Sequence, residues 1–201
     1  MGDMMTKSER KLPGERKLEI LQTIAVMLEQ PKGEKITTAL LAEKLDVSEA
    51  ALYRHFASKA QMYEGLIEFI EQTVFGLANK ITADESSGLK QAEGVVAMLL
   101  GFAQKNRGMT RVLTGDALVN ENERLQTRIN QFLDRVEATL KQSLRIAASQ
   151  GELPAETDVG AHANLLLCYV IGRWQLFAKS GYARDPMAQW PQQWVLLINN
   201  E

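Results

Sequence analysis

The chain has 201 residues, 45% hydrophobic and 24% charged, with a formal net charge of −2; this is the balance of a protein with a real core, in one large domain or a small domain fused to a larger one. Its single cysteine, Cys168, excludes an internal disulfide framework and a multi-cysteine zinc site and suits a reducing compartment. The longest apolar runs, 95–103 and 165–172, fall far short of the roughly 20 residues a membrane span needs, and the polar N-terminus carries no secretory pattern, so a cytoplasmic protein without a membrane segment is expected.

Almost everything after residue 15 reads as helix. Leu18, Leu21, Ala25 and Leu28 recur on one helical face, widened by Ile20, Ile24 and Met27. Pro31, Lys32 and Gly33 stop that helix. A short helix is expected over about 38–45, capped by Thr37 or Thr38, and Asp46 and Val47 then form a turn. Ser48 caps a second short helix to about Phe56. Ser58 with Gln61 three residues on is a capping box, opening a longer helix to about Ile81. The polar stretch 82–88 (TADESSG) breaks the pattern and is a candidate boundary.

Beyond it, a strongly apolar helix over about 89–105 ends at Asn106, Arg107 and Gly108, and a short one covers about 110–119. Leu125, Ile129, Phe132, Val136, Leu140 and Leu144 form a stripe of helical period over more than five turns, closed by Gly151 and Pro154. Asp158 caps a helix over about 159–180, and Trp190–Ile198 is a terminal amphipathic piece. No strand alternation or internal repeat is visible. The expectation is an all-α fold of about nine helices.

Charge leaves nucleic-acid binding undecided: residues 1–60 carry ten Lys/Arg against nine Asp/Glu, a weakly basic head. Placement is more informative. In 36–59 (ITTALLAEKLDVSEAALYRHFASK) two short helices joined by a tight turn make a helix-turn-helix, whose second helix can enter a major groove. Leu41, Leu45, Leu52 and Phe56 would face inward, with Ala42 allowing close packing, while Ser48, Glu49, Tyr53 and Arg54 face out. The guanidinium of Arg54 can read guanine or grip phosphate. Helix N-termini at Thr38 and Ser58, the second beside Lys59, suit phosphates.

No catalytic constellation competes. His162 and Cys168 lie six apart on one predicted helix, on different faces, and His162 is most simply a core or interface residue. There is no Gly-rich phosphate loop, metal-spaced cluster or nucleophile elbow. Glu121 and Glu123 sit in a polar connector, not in an acid–base site. No cofactor, metal or catalytic residue is expected.

The run VSEAALYRHFASK resembles the signature of the TetR-family DNA-binding domain, over about residues 15–65. The family usually has glycine where this chain has Asp46, a residue that tolerates left-handed backbone better than most. The resemblance implies an arm (1–15), a DNA-binding head (16–65) and a helical dimerisation or effector body (66–201). It also implies that Thr37 or Thr38, Tyr53, His55 and Lys59 hold the DNA backbone, and that Ser48, Glu49, Ala50 and Arg54 lie near base edges. Dimerisation is consistent with the stripe from Leu125 to Leu144 or with the apolar helix from Leu165 to Phe177, which includes Trp174; one of the two is core.

Three segments, ALYRHFASKAQMYEGLIEFIE, LLGFAQKNRGMTRVLTGDAL and RLQTRINQFLDRVEATLKQ, are similar to one branch of that family, the nucleoid occlusion factors. That branch implies a homodimer on chromosomal double-stranded DNA that antagonises the tubulin-like division protein FtsZ. The alternative is a transcriptional repressor released by a small-molecule ligand. For the FtsZ C-terminal tail, a glycine floor at Gly101, apolar walls at Phe69 and Met98 and a polar rim at Lys105 and Asn106 make a candidate groove.

Overall fold

The computed structural model describes residues 13–30, 36–119 and 121–198. Among these, nine α-helices and one 3-10 turn account for the regular structure, with no strand. The expected arm (1–15) lies outside the described residues except for 13–15, which belong to the first helix, α1 (Pro13–Leu28). Proline at a first helical position loses no hydrogen bond, because that N–H has no partner in a helix anyway. The Pro31–Gly33 stop lies outside the described residues.

The head is built from α1, α2 (Thr38–Lys44), α3 (Glu49–Tyr53) and the start of α4 (Lys59–Asp84). Ile20, Ile24, Leu41, Leu52, Phe56, Met62 and Leu66 are buried together in its core. The second short helix ends at Tyr53 rather than near Phe56, with Arg54 as its C-cap. The N–H groups of both His55 and Phe56 converge on the Leu52 carbonyl, which turns the chain so that Phe56 enters the core while Ser58 caps the next helix. The capping box there is displaced by one residue: Ser58 accepts from the Gln61 N–H, but the Gln61 side chain accepts from Ala57.

Helix α4 is continuous across residues 65 and 66 and runs three residues beyond the expected Ile81. Thr82 does not break it, since its hydroxyl donates to the Asn79 carbonyl within the helix. The polar break therefore shrinks to 85–87, and Ser87 caps α5 (Gly88–Lys105). Only Asn106 separates α5 from α6 (Arg107–Leu113), so Arg107 and Gly108 open a helix instead of ending one. The 3-10 turn Asp116–Leu118 and a short connector lead to α7 (Glu123–Ser149), followed by α8 (Val159–Lys179) and α9 (Trp190–Ile198).

The stripe on α7 is core: Leu125, Ile129, Phe132, Val136, Leu140 and Leu144 are all buried. They pack against α5 and α8. Phe132 meets Phe75 of α4 at 5.3 Å between ring centroids. Trp174, read with the apolar helix as a dimerisation candidate, is instead 0% exposed. Its indole N–H donates to the Leu99 carbonyl at 3.1 Å, which satisfies the one polar atom of a large buried ring.

Head and body meet along α1 and α6. A methyl group built on Gly108 would stand 1.8 Å from the Ala25 carbonyl oxygen, so glycine is what allows the two backbones to touch. The Arg111 guanidinium of α6 donates to the carbonyls of Leu28 and Gln30, at 3.1 and 3.0 Å. It thereby satisfies acceptors that the end of α1 leaves open. Tyr182, in the segment between α8 and α9, donates to the same Leu28 carbonyl at 3.4 Å.

Candidate nucleic-acid interface

Three caps shape the outward face of the head. Thr37, and not Thr38, caps α2, its hydroxyl oxygen accepting from the Leu40 N–H at 3.2 Å. Ser48 caps α3 by accepting from the Ala51 N–H at 3.2 Å, and Ser58 caps α4. The turn between α2 and α3 is tied by Asp46 N–H to the Glu43 carbonyl and Val47 N–H to the Ala42 carbonyl. Asp46 has φ 52°, the left-handed conformation expected where aspartate replaces glycine.

Ser48, Glu49 and Ala50, at the start of α3, are exposed. Tyr53 is 46% exposed and Arg54 also faces solvent, whereas His55 is half-buried. Thr38 and Glu49 are joined directly, the Thr38 hydroxyl donating to the carboxylate at 2.5 Å. That bond ties α2 to α3 and holds the Glu49 carboxylate against Thr38. Lys17 of α1 places its ammonium 5.7 Å from the Phe56 ring centre, adding a cation beside the helix-turn-helix that sequence reading did not select.

Lys59 is not free. Its ammonium lies 2.5 Å from Glu121 in the connector before α7, and 5.5 Å from the centre of the Tyr63 ring. Burial, then the Glu121 charge, push the Tyr63 phenol up to about 12, with Arg111 opposing. Nothing local in the sequence pairs residues 59 and 121. Glu123, the other connector acid, is exposed in the first turn of α7.

On the body, Phe69 and Met98 are half-buried against the core, and a methyl group on Gly101 would meet nothing within 4 Å. Gly101 is thus no helix-crossing contact but an open spot on α5. Lys105 is exposed, while Asn106 spends its side-chain N–H on the Phe102 carbonyl at 2.8 Å. An open groove of about 380 Å³ does lie between α4 and α5, but nearer their connecting turn. Leu77, Lys80, Ile81, Asp84, Glu85, Lys90 and Gly94 line it, and none of the five residues selected from the sequence does. His162 is buried, its Nε2 2.9 Å from the Leu197 carbonyl oxygen, and Cys168 is exposed on α8. Among the described residues no group of acidic, histidine and cysteine side chains could hold a metal ion, and no helix is long and apolar enough to cross a membrane.

Residues 26–66 match the family described as bacterial regulatory proteins, tetR family, and 87–201 match the one described as tetracyclin repressor-like, C-terminal domain. The nucleoid occlusion factor SlmA of Alteromonas mediterranea is 49% identical over 180 residues, 90% of this chain and 92% of that protein. The chain belongs to the SlmA family of TetR-type proteins. SlmA proteins of a Marinomonas species and of Colwellia psychrerythraea are 47% and 40% identical over 92% and 98% of this chain, and over 94% and 100% of their own lengths.

The fold is shared more widely than the SlmA sequence. FadR of Bacillus subtilis in complex with stearoyl-CoA superposes with TM-score 0.75 at 14% identity, covering 92% of this chain and 98% of its own. A TetR transcription regulator from Haloarcula marismortui gives 0.77 at 15%, covering 92% and 97%. Those likenesses speak for architecture alone. With the TetR-type head and SlmA relatives along nearly its full length, the chain is a DNA-binding protein of the nucleoid occlusion type.

Proposed function

We propose that this protein is a dimeric, sequence-specific DNA-binding inhibitor of cell division that sits on the nucleoid and antagonises assembly of FtsZ. The observation that carries the reading is the end-to-end similarity to proteins named nucleoid occlusion factor, which extends through the body as well as the head. The head corresponds to about 16–65 and the body to 66–201. Within the head, Thr37, Thr38, Tyr53, His55 and Lys59 position the domain on phosphates, and Ser48, Glu49, Ala50 and Arg54 approach base edges. Arg54 supports this assignment best. It is exposed and its side chain makes no hydrogen bond or ion pair among the described residues, so its fork is available to a guanine.

A dimer is supported by the outer face of α8. Leu165 is 51% exposed, and Ala161, Cys168, Gly172 and Leu176 continue the same face at helical spacing. Leu196 of α9 is 78% exposed. Paired small and aliphatic residues of this kind suit an isologous contact with a second copy, which would place two heads on a pseudo-palindromic site. Of the two helices expected to dimerise, this drops the buried α7 stripe, keeps the outer face of α8 and adds α9.

The proposed partner surface is the α4–α5 face that carries the open Gly101, the exposed Lys105 and the half-buried Phe69 and Met98. The test is FtsZ assembly with GTP, followed by sedimentation, in the presence of this protein with and without a bound duplex. Reduced pelleting of FtsZ when protein and duplex are both present supports the reading. Unchanged pelleting, together with release of the duplex by a small metabolite, would favour the repressor instead.

A further inference from the structure

Glu121 belongs to the body, yet its carboxylate is held against the first residue of α4, at the edge of the head. Its own N–H donates to the Leu118 carbonyl at 2.9 Å, and buried Leu118 and Leu125 anchor the connector on either side. The Lys59 and Glu121 side chains are only 23% and 12% exposed, so this pair is less screened than a surface ion pair. The Lys59 ammonium also lies over the Tyr63 ring, 5.5 Å from its centre. A phosphate arriving at the start of α4 therefore meets a cation that already has an anionic partner.

We infer that Glu121 is a positioning residue of the DNA interface: its carboxylate competes with DNA phosphate for Lys59 and lowers the affinity of the head for any duplex. The inference rests on the reading above that Lys59 meets phosphate. Competition of this kind carries no sequence information, because the contact it displaces carries none. It is also reciprocal: a duplex that takes Lys59 frees Glu121, and with it the connector that leads into α7. Sequence recognition by α3 is untouched.

The experiment measures duplex binding by fluorescence anisotropy across a range of KCl concentrations, with a cognate and an unrelated duplex. Four full-length proteins are compared: wild type, Glu121→Gln, Lys59→Met and the double variant. Glu121→Gln keeps the shape and removes the charge, so it should bind both duplexes about three- to tenfold more tightly. Its log–log salt dependence should stay close to that of the wild type, because Lys59 meets phosphate in both complexes, whereas Lys59→Met should be shallower by about 0.9. The double variant should match Lys59→Met, because the effect runs through Lys59. A wild-type or weaker affinity in Glu121→Gln, or a gain that survives in the Lys59→Met background, overturns the inference while leaving Lys59 as a phosphate contact. If Lys59→Met alone binds like wild type, the underlying reading of Lys59 fails as well. Should Glu121→Gln misfold, Glu121→Asp withdraws the carboxylate by one methylene and should give a smaller gain in the same direction. In the wild type, amide exchange at 121–125 should quicken on duplex binding, and this response should vanish in Lys59→Met.

Discussion

Ala25 of α1 leaves no room for a methyl group on Gly108, whereas Gly101, seven residues earlier, faces open space. The same substitution should therefore have opposite signs at the two positions. In Gly108→Ala the new carbon would meet the Ala25 oxygen at 1.8 Å and its carbonyl carbon at 2.8 Å. Both are backbone atoms, so α1 itself must retreat, and that retreat stretches the Arg111 bonds to Leu28 and Gln30. Overpacking costs about 1–3 kcal/mol, and a weakened charged hydrogen bond adds roughly 1 kcal/mol. At about 2–4 °C per kcal/mol for a chain of this size, Gly108→Ala should melt roughly 5–15 °C below wild type. Gly101→Ala removes a helix-interior glycine with nothing to collide with, and should raise Tm by about 2–4 °C through helix propensity alone. Differential scanning calorimetry at one fixed protein concentration reads both. A Gly108→Ala protein melting within a degree of wild type, or a Gly101→Ala protein melting lower, would show that the α1–α6 contact and the open face of α5 are wrongly described.

Leu165→Glu places a charge on the exposed apolar face of α8 and should convert a dimer into monomers by sedimentation velocity; a dimer that survives it would place the interface elsewhere. Arg54→Ala should cost about 1–3 kcal/mol on the cognate duplex and much less on an unrelated one, and equal losses on both would make Arg54 a phosphate contact. The Asp158 carboxylate accepts from the N–H groups of Ala161 and Gly160, which holds its pKa below the ordinary 3.8. The unfolded chain then takes up that proton at higher pH than the folded one, so the cap's contribution is present above the ordinary value and disappears as pH falls through the folded value. Asp158→Ala should accordingly melt below wild type at pH 7, with the gap closing as pH drops beneath the ordinary aspartate range; a gap unchanged down to pH 3 contradicts this role for the cap.

Local signals were legible in the sequence. Ser48, Ser58 and Asp158 cap the helices they were expected to cap, because capping needs only a short polar side chain and the next two or three N–H groups. Asp46 adopts left-handed backbone for an equally local reason. The stripe of α7 was visible as a period, but a period does not say what it packs against. The apolar helix α8 shows why: Leu166, Val170 and Trp174 face the core while Leu165 and Leu176 face out, and one run of apolar residues serves both sides.

What stayed hidden depends on partners distant in the chain. Gly108 reads as a helix stop until Ala25 is set beside it. Arg111 carries no signal of its own in the sequence; its role depends on the carbonyls that the end of α1 offers. Lys59 reads as an open phosphate contact until Glu121 is placed against it. The groove between α4 and α5 depends on which residues of two antiparallel helices lie level, and α4 runs three residues longer than its sequence suggests.

Chromosome-wide mapping of the bound sites in growing cells bears most directly on the claim that this is a nucleoid-bound inhibitor of division. The account predicts many sites distributed through the chromosome and sparse near the replication terminus, so that inhibition lifts where the division plane clears the DNA. A few sites confined to promoters would contradict it and make the protein a transcriptional repressor.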